Sequence, residues 1–174
     1  MIYIAFEKFD GGREAEHKAG ICARDRLFSL FGITDEPKKT ESGKPYIDNE
    51  RYFFSISHSG SVAACALRCK EENYDLPEDI FTIFEDGEGE IGFDIQIIPK
   101  PEDLHKMNKI AVRFICTQFY SVEDFARKWT RSEAHGKLHD VALAEVFRAD
   151  EDGHTFISGE VEFDEERYAF SICY

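Results

Sequence analysis

The sequence lacks the features that define several familiar classes of protein. It has five cysteines and no Cys-x-x-Cys pair, and no second pair or histidine cluster completes a zinc site with Cys65 and Cys69. A membrane-spanning helix needs roughly 18 consecutive apolar residues. The sequence has no such run and no basic-then-apolar segment at its start. We therefore expect buried free thiols in a cytoplasmic protein that has no membrane partner.

Positive charge is also scarce. The 21 Lys and Arg residues are outnumbered by 35 Asp and Glu residues, which gives a formal net charge of −14. Nucleic acids and anionic membranes attract proteins through positively charged faces, so this balance argues against either as a general partner. It still allows a local basic site for a small anionic ligand.

Apolar residues are plentiful, and their spacing predicts the elements of an α+β fold. Hydrophobic residues make up 43% of the 174 residues, and this is enough for a core without a disulfide or a structural metal. Ser121 is the predicted N-cap of the last helix, with Asp124 three residues later. The patterns predict strands at 1–6, 51–57, 61–68, 91–98, 143–148, 154–164 and 167–173, and helices at 13–31, 102–118 and 121–139.

The order of these elements predicts two α+β halves, residues 1–98 and 99–174, which meet near Pro99. Residues 71–90 are rich in acidic side chains and end in a glycine-containing turn. We interpret them as a surface hairpin or loop inserted between two core strands.

One predicted strand carries a charge where a buried side chain is expected. In IGFDIQII, residues 91–98, Asp94 lies among apolar strand formers, and Gln96 lies on the same face two residues later. Burying an unpaired carboxylate costs several kcal/mol or forces its neutralisation. Asp94 therefore needs a partner.

The predicted helix around KWTRSEAHGK, residues 128–137, places Trp129, Glu133 and Lys137 on one face. A salt bridge from Glu133 to Lys137, with Trp129 anchoring the core, would be the structural explanation. Asp94, Gln96 and Glu133 could instead supply the hard oxygen ligands that Mg²⁺ prefers beside substrate phosphates.

Two turns carry residues suited to phosphate. FSISHSG, residues 54–60, offers Ser57 and His58, and SGKPY places Lys44 before Pro45. Hydroxyl, imidazole and ammonium groups beside open backbone N–H groups can bind a phosphate, although polar turns are often only solvated. Carboxylates for a metal and cations for phosphates are together the minimum set for phosphoryl-type transfer.

In this order, GKPY, FSISHSG, IGFDIQ and KWTRSEAHGK resemble the motifs of the 4′-phosphopantetheinyl transferases of the surfactin-type class. The resemblance runs from Gly43 to Lys137, and the closing YAFSICY is similar to the last strand of that family. It implies a pseudo-dimer of two similar α+β halves with coenzyme A between them, and such a fold favours a monomer. It also implies transfer of phosphopantetheine from coenzyme A to a serine of an acyl or peptidyl carrier protein, releasing 3′,5′-ADP.

The resemblance also implies roles for individual residues. Asp94 and Glu133 would hold Mg²⁺, with Gln96 standing where the family usually has Glu, and Lys137 would contact a pyrophosphate oxygen. Glu133 or a metal-bound water would deprotonate the serine. The other implied contacts with coenzyme A are Ser57, His58, Lys44 and Pro45, with Arg24 and Arg26 as candidates for its 3′-phosphate. Candidates for contact with an acidic carrier protein are Lys100, Lys106, Lys109, Arg113, Arg127, Lys128 and Arg131.

Two alternatives stay open at this level. The chain could be a catalytically weakened relative that binds coenzyme A or a carrier protein without efficient transfer. It could also be an α+β interaction domain in which every motif is structural.

Overall fold

The computed structural model describes residues 1–72, 75–114, 118–141 and 153–174. These residues form a mixed α+β structure that divides into two units, Met1–Ile91 and Gly92–Tyr174. Within the described ranges, no helix combines the length and the apolar character needed to cross a membrane. The strand predicted at 143–148 lies outside the described residues.

The first unit is one long helix packed on an antiparallel sheet. The helix α1 (Arg13–Leu30) packs on the sheet through contacts such as Phe28 against Phe54, whose ring centroids are 5.2 Å apart. Leu27 and Tyr3 are completely buried in the same core. The strands are β1 (Ile2–Lys8), β4 (Tyr52–Ser59), β5 (Val62–Cys69) and β6 (Phe81–Ile83) in the order β4-β5-β1-β6, with β2 (Lys38–Lys39) and β3 (Pro45–Tyr46) forming a separate small ladder.

The interpretation of residues 71–90 as a surface insertion is wrong in one respect. Strand β6 lies within this segment and pairs with β1, so the segment completes the sheet at its edge. Both carboxylate oxygens of Glu85 then accept from Nη2 of Arg68, at 2.6 and 2.7 Å, and both side chains are almost fully buried. An acidic segment is expected to be exposed to solvent. Nothing in the sequence identified Glu85 as the partner of a buried arginine.

The second unit also places a helix on an antiparallel sheet. Strands β7 (Gly92–Ile97), β8 (Phe156–Phe163) and β9 (Glu166–Cys173) lie in the order β7-β9-β8. The helix α3 (Val122–His139) packs on β7 and β9, and Ser121 caps it by accepting a hydrogen bond from the backbone N–H of Asp124 at 3.0 Å. This N-cap was predicted from the sequence.

Two boundaries differ from those expected. The expected division after residue 98 assigns β7 to the first half, whereas the structure places β7 in the second unit because it pairs with β9 along its whole length. The helix predicted at 102–118 is a 3₁₀ turn, Pro101–Asp103, followed by the helix α2 (Leu104–Phe114). Pro101 fits the start of this turn because it has no N–H to leave unpaired.

Candidate functional site

The helix α3 approaches the strand β7 unusually closely, and Gly92 is the reason. A Cβ atom at position 92 would lie 1.8 Å from the carbonyl oxygen of Ala134 and 2.6 Å from the backbone nitrogen of Leu138. No side chain fits there, so only glycine allows the helix backbone to reach the strand. Glu133 and Lys137 lie on the turns of α3 beside this contact and are therefore close to Asp94.

Asp94 and Lys137 form an ion pair inside the second unit. Oδ1 of Asp94 lies 2.8 Å from Nζ of Lys137, and the two side chains are 8% and 28% exposed. Lys137 therefore pairs with the strand carboxylate rather than with Glu133, its neighbour one turn back on the helix. This contact answers the question that the charged strand posed, because a buried carboxylate is tolerated when it is paired and hydrogen-bonded.

Glu133 is the group whose protonation is most altered by this environment. The pKa of Glu133 is raised from 4.5 to about 7, mainly by burial and also by the negative charge of Asp94, while the positive charge of Lys137 lowers it. The pKa of a carboxyl group rises in this way when its charged form loses water and faces another anion. Glu133 is thus half protonated near neutral pH.

A chain of three hydroxyl groups, two of them buried, joins α3 to the sheet. Thr130 on α3 shares a hydrogen bond with Ser171 on β9 at 2.8 Å, and Ser171 shares another with Ser158 on β8 at 2.9 Å. Thr130 and Ser171 are completely buried, and Ser171 is the register partner of Asp94. Buried hydroxyl groups whose hydrogen bonds are satisfied in this way hold their elements in one arrangement.

Gln96 lies on the Asp94 face of β7 but is less buried. Its Nε2 donates to the carbonyl oxygen of Ile97 at 3.1 Å. This engages the nitrogen, which cannot bind a cation, and the amide oxygen is the atom that could serve as a ligand.

The residues of this unit fit a divalent cation. Asp94 and Glu133 are two carboxylates close enough for the charge of one to raise the pKa of the other. A divalent cation between them would relieve that repulsion and would meet the oxygen ligands that Mg²⁺ prefers. Lys137 lies beside them as a third charged group.

The first unit contains a cavity of about 690 Å³ with a cationic lining. It lies at α1, β4 and the β2–β3 ladder, and Gly43 and Pro45 are also at its wall. Glu16 is its acidic lining residue, and it contacts Nε2 of His58 at 3.1 Å. In a chain of net charge −14, this concentration of basic groups suits an anionic ligand. The basic lining residues are Arg13, His17, Arg24, Lys38, Lys39 and His58.

The structure separates residues that the sequence placed side by side. His58 and Ile56 face α1 and line the cavity, whereas Ser57 is buried and lies on the opposite face of β4, because side chains alternate along a strand. Lys44 does not line the cavity and instead pairs with Glu90 at 2.7 Å. Arg24 lines it, and Arg26 pairs with Glu7 and Asp79.

Four of the basic cavity residues were not anticipated from the sequence, namely Arg13, His17, Lys38 and Lys39. A weak signal existed for two of them, since Arg13 and His17 are four residues apart on the predicted first helix and so share a face. Lys38 and Lys39 gave no such signal, because the two-residue ladder that positions them has no recognisable pattern.

Comparisons with known proteins add no assignment. A scan against protein-family models finds no match, and a search of curated proteins finds no related sequence.

Proposed function

We propose that this protein transfers the 4′-phosphopantetheine group of coenzyme A to a serine of an acyl or peptidyl carrier protein, with Mg²⁺, and releases 3′,5′-ADP. One observation carries this function. Asp94 and Lys137, separated by 43 residues in sequence, form an ion pair at 2.8 Å. The negative charge of Asp94 also raises the pKa of Glu133. These are the three residues on which the motif resemblance places the chemistry.

We also propose the pseudo-dimeric fold of that family. In support, each unit packs a long helix, α1 or α3, on an antiparallel sheet. Two units of this kind in one chain would make the protein a functional monomer.

Asp94 and Glu133 would hold the cation, with the oxygen of Gln96 as a further ligand. Mg²⁺ supplies charge neutralisation across the pyrophosphate when it is bound. The motif resemblance gives Glu133 a second role, because Glu133 or a metal-bound water would accept the proton of the attacking serine hydroxyl.

Lys137 would stabilise the leaving group. An ammonium group has three N–H donors, so Lys137 can keep its bond to Asp94 and still donate to a pyrophosphate oxygen. Negative charge grows on the leaving 3′,5′-ADP as the bond to the β-phosphorus breaks. A fixed donor at that point lowers the barrier because it gains strength in the transition state.

The basic cavity of the first unit would bind the nucleotide phosphates of coenzyme A. His58 and Pro45, two of the residues expected to contact coenzyme A, are at its wall, and Arg24 joins them. Arg13, Lys38 and Lys39 add positive charge for the 3′-phosphate and the pyrophosphate.

The helix α2 is our candidate surface for the carrier protein. Lys109 and Arg113 are exposed on it, and Ile110 and Val112 are exposed between them at 37% and 48%. Basic side chains around exposed apolar ones suit an acidic helical partner, because charge steers the encounter and the apolar groups are buried on contact.

The direct test is mass spectrometry of apo carrier proteins after incubation with this protein, coenzyme A and Mg²⁺. We expect the mass of a phosphopantetheine group to be added to at least one carrier, and we expect a chelator to prevent the addition. If no mass shift appeared on carriers from fatty-acid, polyketide and peptide synthesis, transfer would be rejected. Thermal stabilisation by coenzyme A would then favour a binding protein, and its absence would favour an interaction domain.

A further inference from the structure

Three histidines meet at the C-terminal end of α3. His135 and His139 are one turn apart on the helix, and His154 comes from the segment just before β8. The three ring centroids are 4.7 Å apart in every pair. Their ligating nitrogens all lie within 4.8 Å of one another.

These separations suit ligands of one small metal ion. Nε2 of His139 lies 3.1 Å from Nε2 of His154. Two imidazole nitrogens on a tetrahedral zinc ion are about 3.3 Å apart, given Zn–N bonds of about 2.0–2.1 Å. His135, whose ligating nitrogen lies within 4.8 Å of the others, would need only a small movement to complete three ligands.

The three rings differ in how deeply they are buried. His135 is 4% exposed, His154 is half-buried, and His139 is exposed in the last turn of the helix. An ion held here would therefore have protein nitrogens on one side and solvent on the other. The negative end of the helix dipole also favours a cation at this position.

This cluster is distinct from the carboxylate pair that Asp94 on β7 forms with Glu133 on α3. Glu133 and His135 are about 200° apart around the helix axis, as are Lys137 and His139. The two groups also select different metals, because imidazole suits zinc and its transition-metal neighbours, whereas carboxylate oxygens suit Mg²⁺.

We propose that His135, His139 and His154 form a site for a divalent transition metal ion, with Zn²⁺ as the ion of choice and an open fourth position towards solvent. The bound ion joins the end of α3 to the start of β8, two points 15 residues apart in sequence. It therefore stabilises the second unit as well as offering an exchangeable ligand position.

The test is a titration of the chelator-treated, full-length protein with Zn²⁺ by calorimetry, followed by a visible spectrum with Co²⁺. We expect one Zn²⁺ per chain and a tetrahedral Co²⁺ spectrum without a thiolate charge-transfer band. His139→Ala and His154→Ala should each weaken binding by at least about 100-fold, because loss of a ligand exceeds the 10- to 100-fold effect of losing a supporting contact.

Two matched variants are the controls. His105→Ala removes another exposed histidine of the second unit, and Asp94→Ala removes the carboxylate of β7 that pairs with Lys137, on the other side of α3 from the histidines. Both should bind Zn²⁺ like the unaltered protein, and circular dichroism should show the same fold for all four variants. The site is disproved if the unaltered protein binds no Zn²⁺, if His139→Ala and His154→Ala bind like His105→Ala, or if Co²⁺ shows thiolate ligation.

Discussion

The ammonium group of Lys137 lies 2.8 Å from the carboxylate of Asp94, and this ion pair joins the helix α3 to the buried strand β7. Both residues belong to motifs that pointed to phosphoryl-type chemistry. The pair explains how a carboxylate can be buried at this point without a bound cation. It also brings the groups that would handle a cation and a pyrophosphate into contact.

Replacement of Asp94 by Ala should abolish phosphopantetheine transfer. The variant loses a cation ligand and the partner of Lys137, and we expect kcat to fall by at least about 10³-fold, the upper end of the effect of removing one electrostatic contact. The fold should persist because Lys137 is 28% exposed and can turn towards water. Steady-state kinetics and circular dichroism measure the two effects. Near-normal turnover would mean that Asp94 holds no cation.

Replacement of Lys137 by Ala should lower kcat by at least about 10²-fold, because a donor to the leaving group acts chiefly in the transition state. Lys18, an exposed lysine of α1, provides the matched substitution, and Lys18→Ala should keep kcat unchanged. An effect on KM alone would show that Lys137 binds substrate and transition state equally well.

The metal-free protein should titrate at Glu133 with a pKa of about 7. Since the folded pKa lies above the unfolded one, the folded state holds a proton that the unfolded state releases between these two values. The contribution of this proton to the free energy of unfolding is therefore complete below pH 4.5 and lost as the pH rises through 7. Carbon-13 NMR of the glutamate carboxyls in the presence of a chelator measures the pKa directly.

Glu133→Gln should remove this dependence. Denaturant unfolding of both proteins from pH 5 to pH 8 should show a loss of stability in the unaltered protein that the variant lacks. Parallel curves for the two would contradict the raised pKa.

Replacement of Lys39 by Glu should raise the KM for coenzyme A by about 10-fold or more with little change in kcat, because charge at the cavity binds the phosphates in the ground state and transition state alike. High salt should reduce the difference between variant and unaltered protein. Lys18→Glu, on the exposed surface of α1, reverses a charge outside the cavity lining and serves as the control. Equal effects of the two substitutions would exclude a specific role for the cavity.

Replacement of Gln96 by Glu should lower the Mg²⁺ concentration that gives half-maximal rate. A third carboxylate would add charge to the cation ligands, which otherwise depend more on the phosphates of coenzyme A. Gln96→Ala is the companion variant and should require more Mg²⁺. If the Glu variant had an unchanged Mg²⁺ requirement, residue 96 would lie outside the coordination sphere.

Local patterns predicted much of the fold and part of the candidate site. The strands around Asp94 and Ser57, the long helices and the cap at Ser121 follow from periodicities of two and 3.6 residues and from side-chain chemistry. Alternation along β4 also contained the information that Ser57 and His58 point to opposite faces, although their shared motif suggested a common role.

What could not be predicted depends on contacts between distant segments. Glu85 is a buried partner of Arg68 because β6 pairs with β1, and acidic composition alone suggested a surface loop. The histidine cluster is a second example. His135 and His139 have helical spacing in the sequence, but only the fold brings His154 to them. The choice of Asp94 over Glu133 as the partner of Lys137 likewise depends on how closely α3 lies on β7.

That closeness gives Gly92 an influence over chemistry in which it takes no part. The distance from helix to strand is set by the absence of a side chain, since even a methyl group would lie 1.8 Å from the Ala134 carbonyl oxygen. Any other residue at position 92 would act as a spacer and move Glu133 and Lys137 away from Asp94 while leaving all three intact. Position 92 therefore controls how closely Glu133 and Lys137 approach Asp94, although glycine itself contributes no functional atom.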